Sequence, residues 1–298
     1  MPSTRFNTAE GVQVPMEKFR LNRLISSDGR CLNVAIDHGF FNEPTFLPGI
    51  ENMGETVRRL LEAQPDAIQL SPGQAPLLQS VLGRNKPSLV LRADIANVYG
   101  SPLPHQLFSL LLDGIVERAL ALDAAAVVVN LLQLPDQPDL YRQTVDNVSR
   151  LGVICDRYGM PLIVEPLVMK VGRGERYGVD GDVTKVVSLV RQARELGADV
   201  IKADPTDPPE EYWRVIESAG SCPVLPRGGG KVPIEEVLNR TYLLLQQGAR
   251  GIVYGRNIVQ APDPRAITQA LMALIHQGAT PENALALYHK MTGGKNDA

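Results

Sequence analysis

Short apolar runs alternate with longer amphipathic segments along most of the chain. The runs are CLNVAID (31–37), AIQL (67–70), SLVLRAD (88–94), AAVVVNL (125–131), PLIVEPL (161–167), ADVIKAD (198–204), CPVLPRG (222–228) and GIVYGRN (251–257). The later ones are almost continuously apolar, as parallel strands covered on both faces are. Between them, ETVRRLLEAQ (55–64) sets Val57, Leu60 and Leu61 on one helical face and arginines on the other. The segments 139–159 and 183–197 each end at a glycine, the expected C-terminal stop of a helix. The segment 233–248 opens with Pro233 at its predicted first turn and also stops at a glycine. ELGADVIK, QQGARGIVY and RYGMPLIV repeat one phrase: helix, glycine, short link, apolar strand. Eight strand–helix units in about 250 residues predict an α/β fold, a parallel eight-stranded (βα)8 TIM barrel, with 1–298 as one domain. Residues 1–30 read as an N-terminal extension, and 280–298 as an extra C-terminal helix and tail. A doubly wound sheet competes, but it calls for a glycine fingerprint after the first strand, and DHGFFNEP is not one.

Composition removes several classes. The 298 residues are 44% hydrophobic and 21% charged, with a net charge of −3, which excludes a disordered or collagen-like chain. No basic block points to nucleic acid or a membrane surface as a partner. No apolar stretch approaches the ~18 residues that span a bilayer, and the polar N-terminus predicts no secretory signal. Cys31, Cys155 and Cys222 form an odd, scattered set, which fits a reducing, cytoplasmic setting and neither a disulfide frame nor a zinc site. Of four histidines, only His38 falls at a predicted strand end, so no metal is expected.

Barrels of this kind carry their chemistry at the C-terminal ends of the strands. The polar residues there are Asp37 and His38, Ser71, Arg92 and Asp94, Asn130, Glu165, Lys202 with Asp204, Arg227 with its glycines, and Gly255 with Arg256. Lys202 ends the apolar run VIKAD, where burial disfavours its charged form and favours a nucleophilic amine; the competing reading is a structural ion pair with Asp204 or Asp37. Gly228, Gly229 and Gly230, between Arg227 and Lys231, pair with Gly255-Arg256 one strand later. Loops after strands seven and eight are the usual phosphate site of the fold, although glycine runs also make plain turns. Asp37 and His38 could transfer protons, or Asp37 could cap a tight turn. Glu165 is either an acid–base group with a raised pKa or the ionic partner of Lys202 or Arg92. The loop 169–182 could close over substrate, with Lys170 and Arg173 as candidates for a second phosphate.

Taken together and in order, AIDHGFF, GADVIKADP, PVLPRGGGK and GARGIVYGRNIVQ resemble the class I aldolase family of archaeal fructose-bisphosphate aldolases, aminodideoxyheptulosonate synthases and the autoinducer-2 phosphate thiolase. The resemblance runs from about residue 31 to 290. It implies a (βα)8 barrel, a lysine Schiff base in place of any cofactor or metal, a phosphorylated sugar as substrate, and a homo-oligomer, often a decamer. By matching motifs, Lys202 is the Schiff-base lysine and Asp37 the acid that assists proton transfer. Gly229, Gly230, Gly255 and Arg256 hold the phosphate, with Gly228 and Arg92 completing the expected binding set. One departure stands out: the aldolase branch ends its fifth strand with an acid–base tyrosine, whereas this chain reads LIVEPLV, with Leu167 near that place. Glu165 then takes the role, or the chemistry is that of the thiolase branch, which uses the lysine with the histidine of DHG, here His38. The chain therefore reads as an aldolase cleaving or condensing a phosphorylated ketose. The alternatives are acyl transfer from a phosphorylated diketone to coenzyme A, and a non-catalytic sugar-phosphate-binding protein.

Overall fold

The computed structural model describes residues 18–100, 103–172 and 176–293. Its strands are β1 (Cys31–Ala35), β2 (Ala67–Leu70), β3 (Ser88–Arg92), β4 (Asp94–Ala96), β5 (Ser109–Leu111), β6 (Ala126–Gln133), β7 (Leu162–Val171), β8 (Tyr177–Val179), β9 (Val200–Ile201) and β10 (Gly251–Tyr254). Its helices are α1 (Met53–Ala63), α2 (Ala75–Gln79), α3 (Ile115–Ala121), α4 (Pro138–Tyr158), α5 (Val183–Glu195), α6 (Trp213–Ala219), α7 (Ile234–Gln246), α8 (Arg256–Val259), α9 (Pro264–His276) and α10 (Pro281–Thr292). Strands β10, β1, β2, β3, β6 and β7 pair in that order, all parallel, and β9 adds in parallel to β7.

The predicted seventh strand, 222–228, is reduced to isolated bridges, Ile201 with Val224 and Arg227 with Val253. Pro223 and Pro226 cause this, since neither has an N–H to give to a ladder. The segment still closes the barrel. Leu225 N–H donates to Ile201, Arg227 N–H to Ala203, and Arg250 and Val253 N–H donate back to Val224 and Pro226. Pro233 stands one residue before α7 as its N-cap, rather than inside the first turn.

Alternation along the strands sorts their side chains between two apolar environments. Leu32, Val34, Leu89, Leu91, Val127, Val129, Leu162, Val164, Ile201 and Ile252 belong to the large core shared with the helices. Cys31, Ala35, Ala67, Val90, Val128, Ile163, Val200, Leu225 and Val253 form a second cluster, drawn from every barrel strand and so enclosed by them. Leu21 and Leu24 join that inner cluster from a 3-10 turn (Phe19–Arg23). Part of the N-terminal extension thus plugs the barrel; residues 1–17 lie outside the described residues, as do 294–298. The C-terminal helix is α10, capped by Thr280 and packed on α9 and α7. All three cysteines are buried in apolar surroundings.

Two antiparallel hairpins extend the barrel mouth in ways the periodicity does not show: β4 with β5, and the end of β7 with β8. At the opposite end, His276 at the close of α9 bonds Asp28 through Nδ1 (2.7 Å) and Asp66 through Nε2 (2.9 Å). Asp66 also accepts from Leu32 N and Ser26 Oγ, so the last barrel helix is tied to the entrances of β1 and β2. Burial opposes the charge on His276, but Asp66 and Asp28 overcome it and raise the pKa above the usual 6.5. The stabilisation is therefore complete below about pH 6.5 and is lost as the pH rises through the folded-state pKa. His276→Gln is expected to cost about 1.5–3 kcal/mol at pH 6 and distinctly less at pH 9, read as thermal midpoints. A penalty independent of pH would contradict the charged clamp.

Candidate active site

The last inward apolar side chain of a barrel strand is followed two residues later by a polar or glycine position at the barrel mouth. Ala35 leads to Asp37, Ala67 to Gln69, Val90 to Arg92 and Asp94, and Ile163 to Glu165. Likewise Val200 leads to Lys202 and Asp204, Leu225 to Arg227, and Val253 to Gly255. The strand period of two therefore brings these positions together from strands far apart in sequence.

They form one buried ionic network. The guanidinium of Arg92, with 1% of its side chain exposed, reaches Asp37 Oδ2 through Nε (2.6 Å), Glu165 Oε2 through Nη2 (2.7 Å) and Asp94 Oδ1 through Nη1 (3.3 Å). Lys202 Nζ donates to the same Glu165 Oε2 at 3.0 Å. Arg227 lies 3.7 Å from Glu165 Oε1 and 3.2 Å from Asp204 Oδ1. Gln69 Nε2 donates to Asp37 Oδ2 (2.8 Å), and Asn130 donates to Asp94 Oδ2 through its backbone N and Nδ2 (3.2 and 2.8 Å).

The charges follow from these contacts. Burial alone would raise the pKa of Glu165, but Lys202, Arg92 and Arg227 hold it well below the carboxylate range. Of the two readings of Glu165, this favours the second: an ionised carboxylate held as the ionic partner of Lys202 and Arg92. Asp37 is likewise kept ionised against its burial by Arg92 and Lys202. Burial lowers the pKa of Lys202, and nearby Arg92 and Arg227 add to the effect, while Glu165 and Asp37 oppose it. Burial pulls His38 down to about 4 and pushes Asp204 up to about 6 despite Arg227. His38 Nδ1 is buried and meets no hydrogen-bond partner among the described residues.

Above the network, the 228–230 loop has its carbonyls tied back. Gly228 O accepts from Arg240 and Asn257, Gly229 O from Arg256, and Gly230 O from Asn257. The amides of Gly228 to Lys231 meet no acceptor among the described residues, which is the arrangement that receives an anion. Gly229 holds a left-handed φ of +63°, which favours glycine. Gly255 is needed for space, since a Cβ there would run into the His38 ring and the Ala35 carbonyl. Arg256 stacks on Phe46 (4.6 Å to the ring centroid), donates to the Gly229 carbonyl and makes no ion pair among the described residues.

A cavity of about 50 Å³ is lined by Asp37, His38, Arg92, Glu165, Lys202, Arg227, Gly228, Gly229, Gly255 and Arg256, with an aromatic wall of Phe41, Phe46 and Tyr99. Sequence reasoning missed that wall and Gln69. The polar residue inside the apolar run AIQL is a signal that marks Gln69. Lys170 is not brought to the cavity: its side chain is 59% exposed and lies 3.7 Å from Asp180, across the β7–β8 hairpin. Arg173 lies outside the described residues. Ser71 takes part in the turn before α2, its carbonyl accepting from Gln74 and Ala75. Among the described residues, no group of three or more His, Cys, Asp or Glu side chains is arranged to hold a metal ion.

The model of the DeoC/LacD family aldolases matches residues 31–261. The chain belongs to that aldolase family. An uncharacterised aldolase of Saccharolobus solfataricus is 34% identical over 267 residues, covering 87% of this chain and 94% of the relative. A 3-hydroxy-5-phosphonooxypentane-2,4-dione thiolase of Salmonella typhimurium is 32% identical over 274 residues, covering 90% and 85%. A solved structure of a Schiff base-forming fructose-1,6-bisphosphate aldolase superposes with a TM-score of 0.72 at 25% identity, over 86% of this chain and 98% of that one. This aldolase thus has the TIM-barrel fold expected of it, and its polar strand ends converge where that fold places its active sites.

The network depends on Arg92, whose loss leaves three carboxylates in low dielectric without their shared cation. Arg92→Met is expected to destabilise the aldolase by about 3–5 kcal/mol, measured by denaturant unfolding. A change below about 1 kcal/mol would mean that the carboxylates are neutral or solvated.

Proposed function

We propose that the protein is a class I aldolase that cleaves or condenses a phosphorylated ketose, with Lys202 Nζ as the nucleophile. The observation that carries this is a buried amine facing the same small cavity as a glycine loop with unpaired amides and an arginine that makes no ion pair among the described residues.

The substrate phosphate sits on the amides after Arg227, with Arg256 beside it. That anchorage presents the ketone carbonyl to Lys202. Burial favours the neutral amine, which adds to the carbonyl carbon to give a carbinolamine; loss of water gives the iminium. The iminium nitrogen carries the positive charge formerly on the ammonium, so Glu165, already oriented by Arg92 and Arg227, remains its counter-ion throughout. Electron withdrawal by the iminium lets the neighbouring C–C bond break to an enamine and an aldehyde. Asp37 is ionised and His38 is neutral above about pH 4, so both can accept protons. The protein is read as a homo-oligomer, and the exposed Phe19, Leu82 and Leu110 are apolar surface that an assembly would cover.

A second reading, acyl transfer from a phosphorylated diketone to coenzyme A, is favoured by the buried Nδ1 of His38, unpartnered among the described residues, and by the thiolase relative. Borohydride reduction in the presence of dihydroxyacetone phosphate is expected to add the ketose phosphate mass to the peptide containing Lys202, and Lys202→Met to abolish the adduct. Turnover that requires coenzyme A as acceptor would establish the second reading instead.

A further inference from the structure

Schiff-base chemistry needs a group that gives up a proton and takes one back. The carboxylates in the cavity wall are poor donors, since Asp37 and Glu165 are both held ionised by Arg92 and Lys202. His38 is neutral above about pH 4 and serves as an acceptor.

Tyr99 is differently placed. It follows β4 in the segment NVYG and lines the cavity together with Lys202, Glu165 and His38. Its ring stands edge-on to Phe41 and Phe46, with both centroid distances 5.1 Å, so the phenol is held from two sides. Arg227 lines the same cavity and is near enough to act electrostatically on the Tyr99 hydroxyl. The charged groups facing it are Arg227 and Arg256, which favour a phenolate, and Glu165 and Asp204, which oppose one. Burial outweighs the cations and keeps the phenol protonated at rest, while Arg227 is in position to steady the phenolate once the proton has left.

Resting on the class I reading above, we propose that Tyr99 is the catalytic acid–base of this site, acting from the β4–β5 hairpin. Its phenolic proton passes to the departing hydroxyl of the carbinolamine. The C–O bond breaks, water leaves, and the nitrogen lone pair of Lys202 forms the C=N bond. The phenolate then accepts a proton: from the hydroxyl whose C–C bond is breaking in cleavage, or from the carbon next to the iminium in condensation. In either case the electron pair passes into the enamine and the phenol is restored.

The test uses the full chain with dihydroxyacetone phosphate in D2O and two readouts: the borohydride adduct on Lys202 after long incubation, and exchange of the carbinol hydrogen followed by NMR. Tyr99→Phe, which keeps the ring and both aromatic contacts, is expected to retain the adduct while exchange falls by about 10²-fold or more. Difluorotyrosine at position 99, a more acidic phenol, is expected to restore exchange and to move the alkaline limb of its pH profile to lower pH, which a purely structural ring would not do. If Tyr99→Phe fails to fold, the difluorotyrosine shift alone decides. Exchange within threefold of the parent in Tyr99→Phe, or an unmoved alkaline limb in the difluoro protein, would overturn the assignment of Tyr99 and leave the Lys202 reading intact. No adduct in the unsubstituted protein would overturn the class I reading, and this assignment with it.

Discussion

A guanidinium with 1% of its surface exposed can stay charged only where anions replace the water it has lost. At Arg92 those anions come from three strands, with Asp37 after β1, Asp94 at the start of β4 and Glu165 on β7. The arginine therefore does more than neutralise. Its planar fork fixes the direction of each carboxylate, and Glu165, so oriented, is the acceptor for Lys202. Removing one member leaves an uncompensated charge on another element, so the strand ends form a single unit rather than a row of separate residues.

This constraint divides the chemistry. Asp37 and Glu165 are fixed as ions by the cations around them and are poor proton donors, whereas burial pushes Asp204 up to about 6 even beside Arg227. On the proposed reading, proton traffic falls to the neutral imidazole of His38 and the phenol of Tyr99. The proposed anion site is separate again, built from the amides after Arg227 and from Arg256, which stacks on Phe46. The proposed functions of charge fixation, proton transfer and phosphate capture thus fall on different groups around one cavity.

Much of this is legible in the sequence because a strand has a period of two. Once a run such as ADVIKAD is read as a strand end, Lys202 and Asp204 must share the inward face with Val200, and the same rule finds Asp37, Arg92, Glu165 and Arg227. What the rule cannot find depends on pairing across long stretches of chain. Tyr99 reaches the cavity from a hairpin of three-residue strands, whose partners at 94–96 and 109–111 show no periodicity of their own. Lys170 reads as a free cation until the β7–β8 hairpin brings Asp180 to it. Whether Glu165 is an acid or an ion pair is not decided by its place between Val164 and Pro166; it is decided by three cations contributed by other strands. The plug formed by Leu21 and Leu24 is hidden in a polar N-terminal segment for the same reason.

The most direct test of the account is a crystal structure of the protein soaked with dihydroxyacetone phosphate. Continuous density is expected from Lys202 Nζ to the carbonyl carbon, with the phosphate on the Gly228–Lys231 amides beside Arg256 and Glu165 still bound by Arg92. A ketose phosphate lying noncovalently in the cavity, with the Lys202–Glu165 pair intact and the phosphate away from the glycine loop, would contradict it.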